Sequence, residues 1–421
     1  MRKRAALQSV ERALRLSILD GVLAAVMVGV SESYFGACAV ALGHTDTALA
    51  VLVTAPLLFG ALAQACTGPL VLLLGSRKRF VVLGVALQAL SHVGLVAVAW
   101  TGSQAVWPLL ALISLYFVAG MATQPAWGAW MGALTEQVDR ERYFAIRSAA
   151  VSVALLLAFL WGGHHLHGAQ LGSSVSHGYA VLFGVGLLAR ALSTGALALQ
   201  LDPSTAPRDS LLRVLARTRS ALRGERFRLV LGLGLLMFGA QISIPFYAPY
   251  MLKTMALGYW GFALMCAVQL AVKSLMFPFA HRIAARFGLD RMLMVSVVLV
   301  ASVAWGWGAF VSITGLVLVQ IVSGVAWAGY EFASFQLLLR AARPSHRVEF
   351  LAVAASLGGL FQLAGALCGG LLLAHAGLTY REVFVVSAVG RSAPLLLLVP
   401  MLYDQRLSQA ALITPTPRVS E

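Results

Sequence analysis

Apolar runs of about 20 residues, separated by short clusters rich in Arg, Gly and Pro, recur along nearly the whole chain. Each run is long enough to cross the hydrocarbon core of a bilayer as a helix. Six precede a long polar connection, at residues 17–41, 48–74, 80–100, 105–134, 148–163 and 179–201. Six follow it, at 229–251, 259–280, 292–311, 314–339, 350–374 and 383–402. The pattern predicts an all-α integral membrane fold of twelve transmembrane helices. Its parts are a six-helix bundle over 1–201, a basic cytoplasmic linker over 202–228, and a second bundle over 229–421 that ends in a short cytoplasmic tail. Inside the linker, Leu211, Leu212, Leu215 and Leu222 share one side among arginines, and Asp209 is placed to cap a helix. The segment reads either as an interfacial helix on the inner leaflet or as a solvated linker.

Composition supports the membrane reading. The chain is 60% hydrophobic and 11% charged, with a mean hydropathy of +0.84. A soluble surface calls for about a quarter of residues charged. Of the 31 Lys and Arg, Arg190, Lys273 and Arg391 fall within runs. With both termini cytoplasmic, 26 of the other 28 lie on the cytoplasmic side, and only Lys253 and Arg381 face out. This asymmetry fits the positive-inside rule and explains the net charge of +15 through topology, without a nucleic-acid partner. The expected location is the cell or inner (cytoplasmic) membrane. The first run carries Asp20 and Glu32 and exceeds a signal-peptide core, so it reads as an uncleaved helix. The four cysteines are widely spaced and predict neither disulfide nor zinc site. No cofactor is expected.

The two halves repeat one another. Tyr179, Phe183 and Arg190 recur as Tyr380, Phe384 and Arg391, each 201 residues later, and Met27-Val-Gly29 recurs as Met237-Phe-Gly239. Gly120…Arg142-Tyr-Phe-Ala recurs loosely as Gly324…Arg347-Val-Glu-Phe. Two bundles related by an axis along the membrane normal is an organisation found in rocking transporters.

Between the second and third runs stands Gly68-Pro-Leu70-Val-Leu-Leu-Leu-Gly75-Ser-Arg77-Lys78-Arg79, and between the eighth and ninth His281-Arg-Ile283-Ala-Ala-Arg286-Phe-Gly288-Leu-Asp290-Arg291. These resemble the loop motif of the major facilitator superfamily. Gly68, Gly75, Arg77, Lys78, Arg286 and Gly288 fit, whereas Leu72 and Ala285 stand where that family usually has Asp. The resemblance implies a secondary active transporter, but without the charge relay that the Asp serves. The segment 139–147 resembles the family's charged loop, either pairing across the cytoplasmic face or simply solvated. The fifth run lacks the proline that marks drug/proton antiporters.

Ionisable side chains at bilayer depth are costly and call for an explanation. Arg190 and Arg391 occupy equivalent positions and are read as structural charges, with Asp20 or Glu32 as partners for Arg190. Glu32, Lys273 and Glu331 have no charged counterparts in the opposite half, and the resemblance places their runs around a central cavity. Lys273, with Gln269 on its face, is expected to meet an anionic or zwitterionic substrate group, and Glu32 or Glu331 to carry a coupling proton. The competing reading is a Lys273–Glu331 bridge that pins the halves together. Gln241 is a lesser candidate, near Pro245, which should break its helix and free carbonyls. His92, Gln64 and Gln88 are read as interhelical hydrogen-bonders. His164, His165 and His167 sit on an expected outer connection, either as a polar loop or as a metal site.

The leading expectation is transport of a small solute by alternating access, possible proton coupling included, by a monomer surrounded by lipid. The alternative is a non-transporting sensor or assembly factor of the same fold. No nucleophile with a base and no HExxH motif is found, so an enzyme is not expected.

Overall fold

The computed structural model describes residues 2–44, 46–136, 138–171, 175–202, 225–343 and 346–399. The linker helix expected over 210–222 lies outside them. Among the described residues the elements are helices, with no strand. Eleven helices are long and apolar enough to cross a membrane, and a bent pair makes a twelfth crossing. In order the spans are Ser9–Ala41, Thr54–Ala65 with Thr67–Leu74, Arg77–Thr101, Val106–Leu134, Arg140–Ala169 and Val175–Leu199. After the linker come Arg226–Pro249, Leu264–Phe287, Leu289–Ala309, Ile313–Ala341, Arg347–His375 and Tyr380–Val399. The protein is a multi-pass integral membrane protein.

The packing repeats between halves. In the first half, span one packs on five and six, two on four, and three on four and six. In the second half, seven packs on eleven and twelve, eight on ten, and nine on ten and twelve. The halves meet along two equivalent seams, two against eleven and five against eight, with four also touching eleven.

Local chemistry sets the departures from straight helices. The second span bends by 60° at Cys66. Pro69 has no N–H for the Ala65 carbonyl, and Thr67 Oγ1 lies 2.8 Å from both the Gln64 and Ala122 carbonyls, holding the bend against the fourth span. The fifth helix begins at Arg140, not at 148, and runs to Leu171. Asp139 accepts the Arg142 N–H at 3.0 Å and Glu141 occupies the first turn, so a segment read as a loop is capped into helix. His164, His165 and His167 therefore lie on the helix's last turns rather than in a loop, with His165 stacked on Trp161 at 5.4 Å. At the end away from the basic loops, Arg381 donates to the Gly308 and Ala309 carbonyls at 2.8 and 3.2 Å, closing the ninth helix.

Gly75 and Gly288 take φ of +64° and +85°, a backbone region that favours glycine, which accounts for both motif glycines as turn residues. Of the basic residues of the first motif, Lys78 donates through Nζ to the Gln200 carbonyl of its own half at 2.7 Å, whereas the buried Arg77 interacts electrostatically with Asp202 and with Glu349 and Arg347 of the second half. Arg286 of the second motif lies over the Phe287 ring.

Candidate functional site

The first span breaks at Ser31 and passes into a short 3-10 turn, Glu32–Tyr34. The break releases Glu32 from the helix face and aims its carboxylate at the fourth span, where the Tyr116 hydroxyl donates to it. Ser31 bonds to His92 Nε2 at 3.0 Å, and His92 Nδ1 pairs with the Gln88 carbonyl at 2.8 Å. Gln88 in turn donates to the Tyr116 carbonyl at 3.1 Å, while its side-chain oxygen accepts both Nε and Nη2 of Arg190. Arg190 Nη1 donates to Ser193 at 3.1 Å, and Ser193 donates to Asp20 at 2.7 Å. Hydrogen bonds thus run from Asp20 through Ser193 and Arg190 to Gln88, and Gln88 meets the backbone carbonyl of Tyr116, whose hydroxyl holds Glu32. Asp20, one of the two partners expected for Arg190, is bonded to it through Ser193.

Asp20, Glu32, Gln88, Tyr116 and Arg190 line a cavity of about 490 Å³ in the first half, with Arg147 at its basic end. Arg147 approaches Asp20 at 3.8 Å and lies 4.4 Å over the Trp127 ring. Trp127 faces Phe335 of the second half at 6.4 Å, and Phe335 packs on Phe144 at 4.9 Å, forming an aromatic floor across the halves. Below that floor two ion pairs join the halves, Arg340–Glu141 at 2.5 Å and Arg347–Glu136 at 3.1 Å. Of the 139–147 segment, Glu141 therefore pairs across the basic end, while Arg147 turns to Asp20 of its own half. The Arg340–Glu141 pair is exposed and contributes under about 1 kcal/mol, so Glu141→Gln should favour opening of that end by up to about fivefold, and Glu136→Gln, which takes the carboxylate from the buried Arg347, by at least as much. Spin-label distances between the halves at that end measure this; an unmoved distribution would show that the pairs do not hold it closed.

The repeated arginine has different surroundings in the second half. Arg391 is 1% exposed and donates to the Val300 and Ala240 carbonyls, Ser243, Ser387 and Tyr247 at 2.7–3.3 Å. The seventh helix breaks after Gln241 and resumes at Ile244 with Pro245, as the proline predicts. The carbonyls of that break go to Arg391 and, from Gly239, to Ser387 at 2.6 Å. Gln241 itself donates to Gln362 at 3.3 Å.

Lys273 and Glu331 form an ion pair at 2.6 Å. Both belong to the second half, so the bridge joins spans eight and ten and cannot pin the halves to each other. Glu331 stands about 140° round its helix from lipid-exposed Leu318, and Lys273 about 160° from exposed Leu275, so both turn away from the acyl chains. Gln269, one turn from Lys273, is half-buried. These three do not line the first-half cavity. Gln64 is buried with its side-chain oxygen unpaired, unlike Gln88 and His92. Among the described residues no group of three or more His, Cys, Asp or Glu could hold a metal ion.

No family model matches the sequence, and no curated protein matches it. Solved structures do. The human organic anion transporter MFSD10 superposes with a TM-score of 0.70 at 17% identity, over 93% of this chain and 98% of its own. The E. coli fucose:proton symporter FucP gives 0.73 at 11% identity, over 93% and 98%. The fold is that of the major facilitator transporters. A bacterial homologue of the iron transporter ferroportin, in its outward-facing state, gives 0.70 at 14% identity, over 92% and 98%. Asp20 was legible as a charge in an apolar run, but Tyr116 and Trp127 carry no sequence signal that separates them from core aromatics.

Proposed function

We propose that this protein is a secondary active transporter that carries a small solute by alternating access, coupled to protons. The observation that carries the reading is the first-half cavity, which two carboxylates and two arginines line above a floor where ion pairs join the halves. Ionisable groups at this depth are expensive unless used. In this reading residues 1–201 and 229–421 are the moving halves and 202–228 their linker. The basic end is cytoplasmic, with both termini there, because basic loops favour that side.

Glu32 is assigned the coupling proton. Its carboxylate lies in a helix break, so it can shift as the halves move, and Tyr116 supports it from a second span. Burial and neighbouring cations act on a carboxylate's proton affinity in opposite directions, so changing access changes its titration. Lys273 is assigned to an anionic or zwitterionic group of the solute, which would compete with Glu331 for it. The likeness to an organic anion transporter agrees with such a cargo. In this scheme Arg391 holds the broken seventh helix and Arg190 holds the cavity wall.

The test is purified protein in proteoliposomes with a trapped pH-sensitive dye, exposed to a panel of organic anions, amino acids and sugars under a pH gradient. One solute class should dissipate the gradient. If none does, and no labelled solute exchanges across the vesicle wall, the transporter reading fails.

A further inference from the structure

A second cavity, independent of the transport reading, lies between spans eight, nine and ten, with a volume of about 370 Å³. Its eighth-span wall is Met276, Ala280, Ile283 and Phe287, spaced to lie along one helical stripe. Small residues of the tenth span, Ala328 and Gly329, form its back, and Val295 of the ninth stands at its rim. Val295 is 59% exposed and Phe287 49%, so the slot opens to the membrane's hydrocarbon. Of its lining only Ser296 and Arg291 are polar.

Charge is concentrated at the basic mouth. Arg291 is part of the lining, and Arg286 lies with its guanidinium 5.4 Å over the ring of Phe287. Asp290 is the acid of this turn, leaving a net positive mouth above an apolar slot. An apolar trough with arginines where the headgroups begin complements a molecule with a long chain and an anionic head.

We propose that this slot binds an anionic phospholipid of the adjacent leaflet, one acyl chain lying between spans eight and nine and the phosphate held by Arg286 and Arg291. A neutral zwitterionic lipid fills the trough equally well but gains less at the mouth, because its ammonium offsets the phosphate.

The protein is reconstituted in nanodiscs of equal phosphatidylglycerol and phosphatidylcholine and released into a native mass spectrometer. The unaltered protein should retain phosphatidylglycerol preferentially. Arg286→Gln and Arg291→Gln should each lower that preference about fivefold. Val295→Trp should fill the rim and lose the retained lipid, whereas Val298→Trp, at a similarly exposed position of the same helix outside the slot, should keep it. Equal retention of both lipids by the unaltered protein overturns the proposal, as does a Val295→Trp variant that retains lipid like Val298→Trp. Arg286 and Arg291 are both exposed, so both variants are expected to fold and the loss of preference can be read in either.

Discussion

A Glu32→Gln protein is expected to lose uphill transport while still exchanging solute. A pH difference of one unit corresponds to about 1.4 kcal/mol, which in a one-proton coupled carrier sustains roughly tenfold accumulation. Glutamine keeps an oxygen for the Tyr116 hydroxyl and nearly the same volume, so the break at Ser31 and the wall around it should survive. What it removes is the exchangeable proton. Accumulation under the gradient should therefore fall from about tenfold to none, with exchange of labelled against unlabelled solute largely retained. Asp20→Asn is the informative companion, because Asp20 lines the same cavity. If Glu32→Gln still accumulates solute and Asp20→Asn does not, the proton belongs on Asp20.

The second large effect concerns folding. Arg391→Met should destabilise the protein by roughly 2–4 kcal/mol, the cost of leaving several buried acceptors without their donor. Methionine approximates the aliphatic volume, so packing changes little. The Ala240 and Val300 carbonyls, however, lose the guanidinium, although Ala240 keeps the Ser243 N–H at 3.2 Å. Ser243 and Ser387 still bond to each other at 2.9 Å, which limits the loss. Tyr247→Phe removes one partner of the same arginine and should cost about 1 kcal/mol. Melting followed by tryptophan fluorescence in detergent, at a fixed scan rate, gives the order of the three proteins. An Arg391→Met protein that melts with the unaltered one would show that the arginine does not hold the break.

Much of this architecture was legible because a membrane demands long apolar helices, and a period near 200 residues exposed the duplication. The harder parts depend on neighbours. Arg190 was read as scaffold because Arg391 repeats it, yet repetition fixes only the position, not the surroundings. By the 210-residue offset that relates Met27 to Met237, Asp20 and Glu32 correspond to Val230 and Ile242, so only the first-half arginine has carboxylates around it. Segment 139–147 looked like a loop because it is charged. A helix that emerges from lipid carries the same charges, and only the Asp139 cap reveals it. Pro69 was visible, but the direction of the bend it permits is set by Thr67 gripping a carbonyl on another span. Lys273 and Glu331 were recognised as a potential pair; their placement across the halves overlooked that both follow the linker.

The matched seams, span two on eleven and five on eight, have a mechanical corollary. In the transport proposed above, rigid halves that kept both lines of touch would seesaw about them, so whatever widened one mouth would narrow the other. Watertightness would then be a property of the hinges rather than of any separate door.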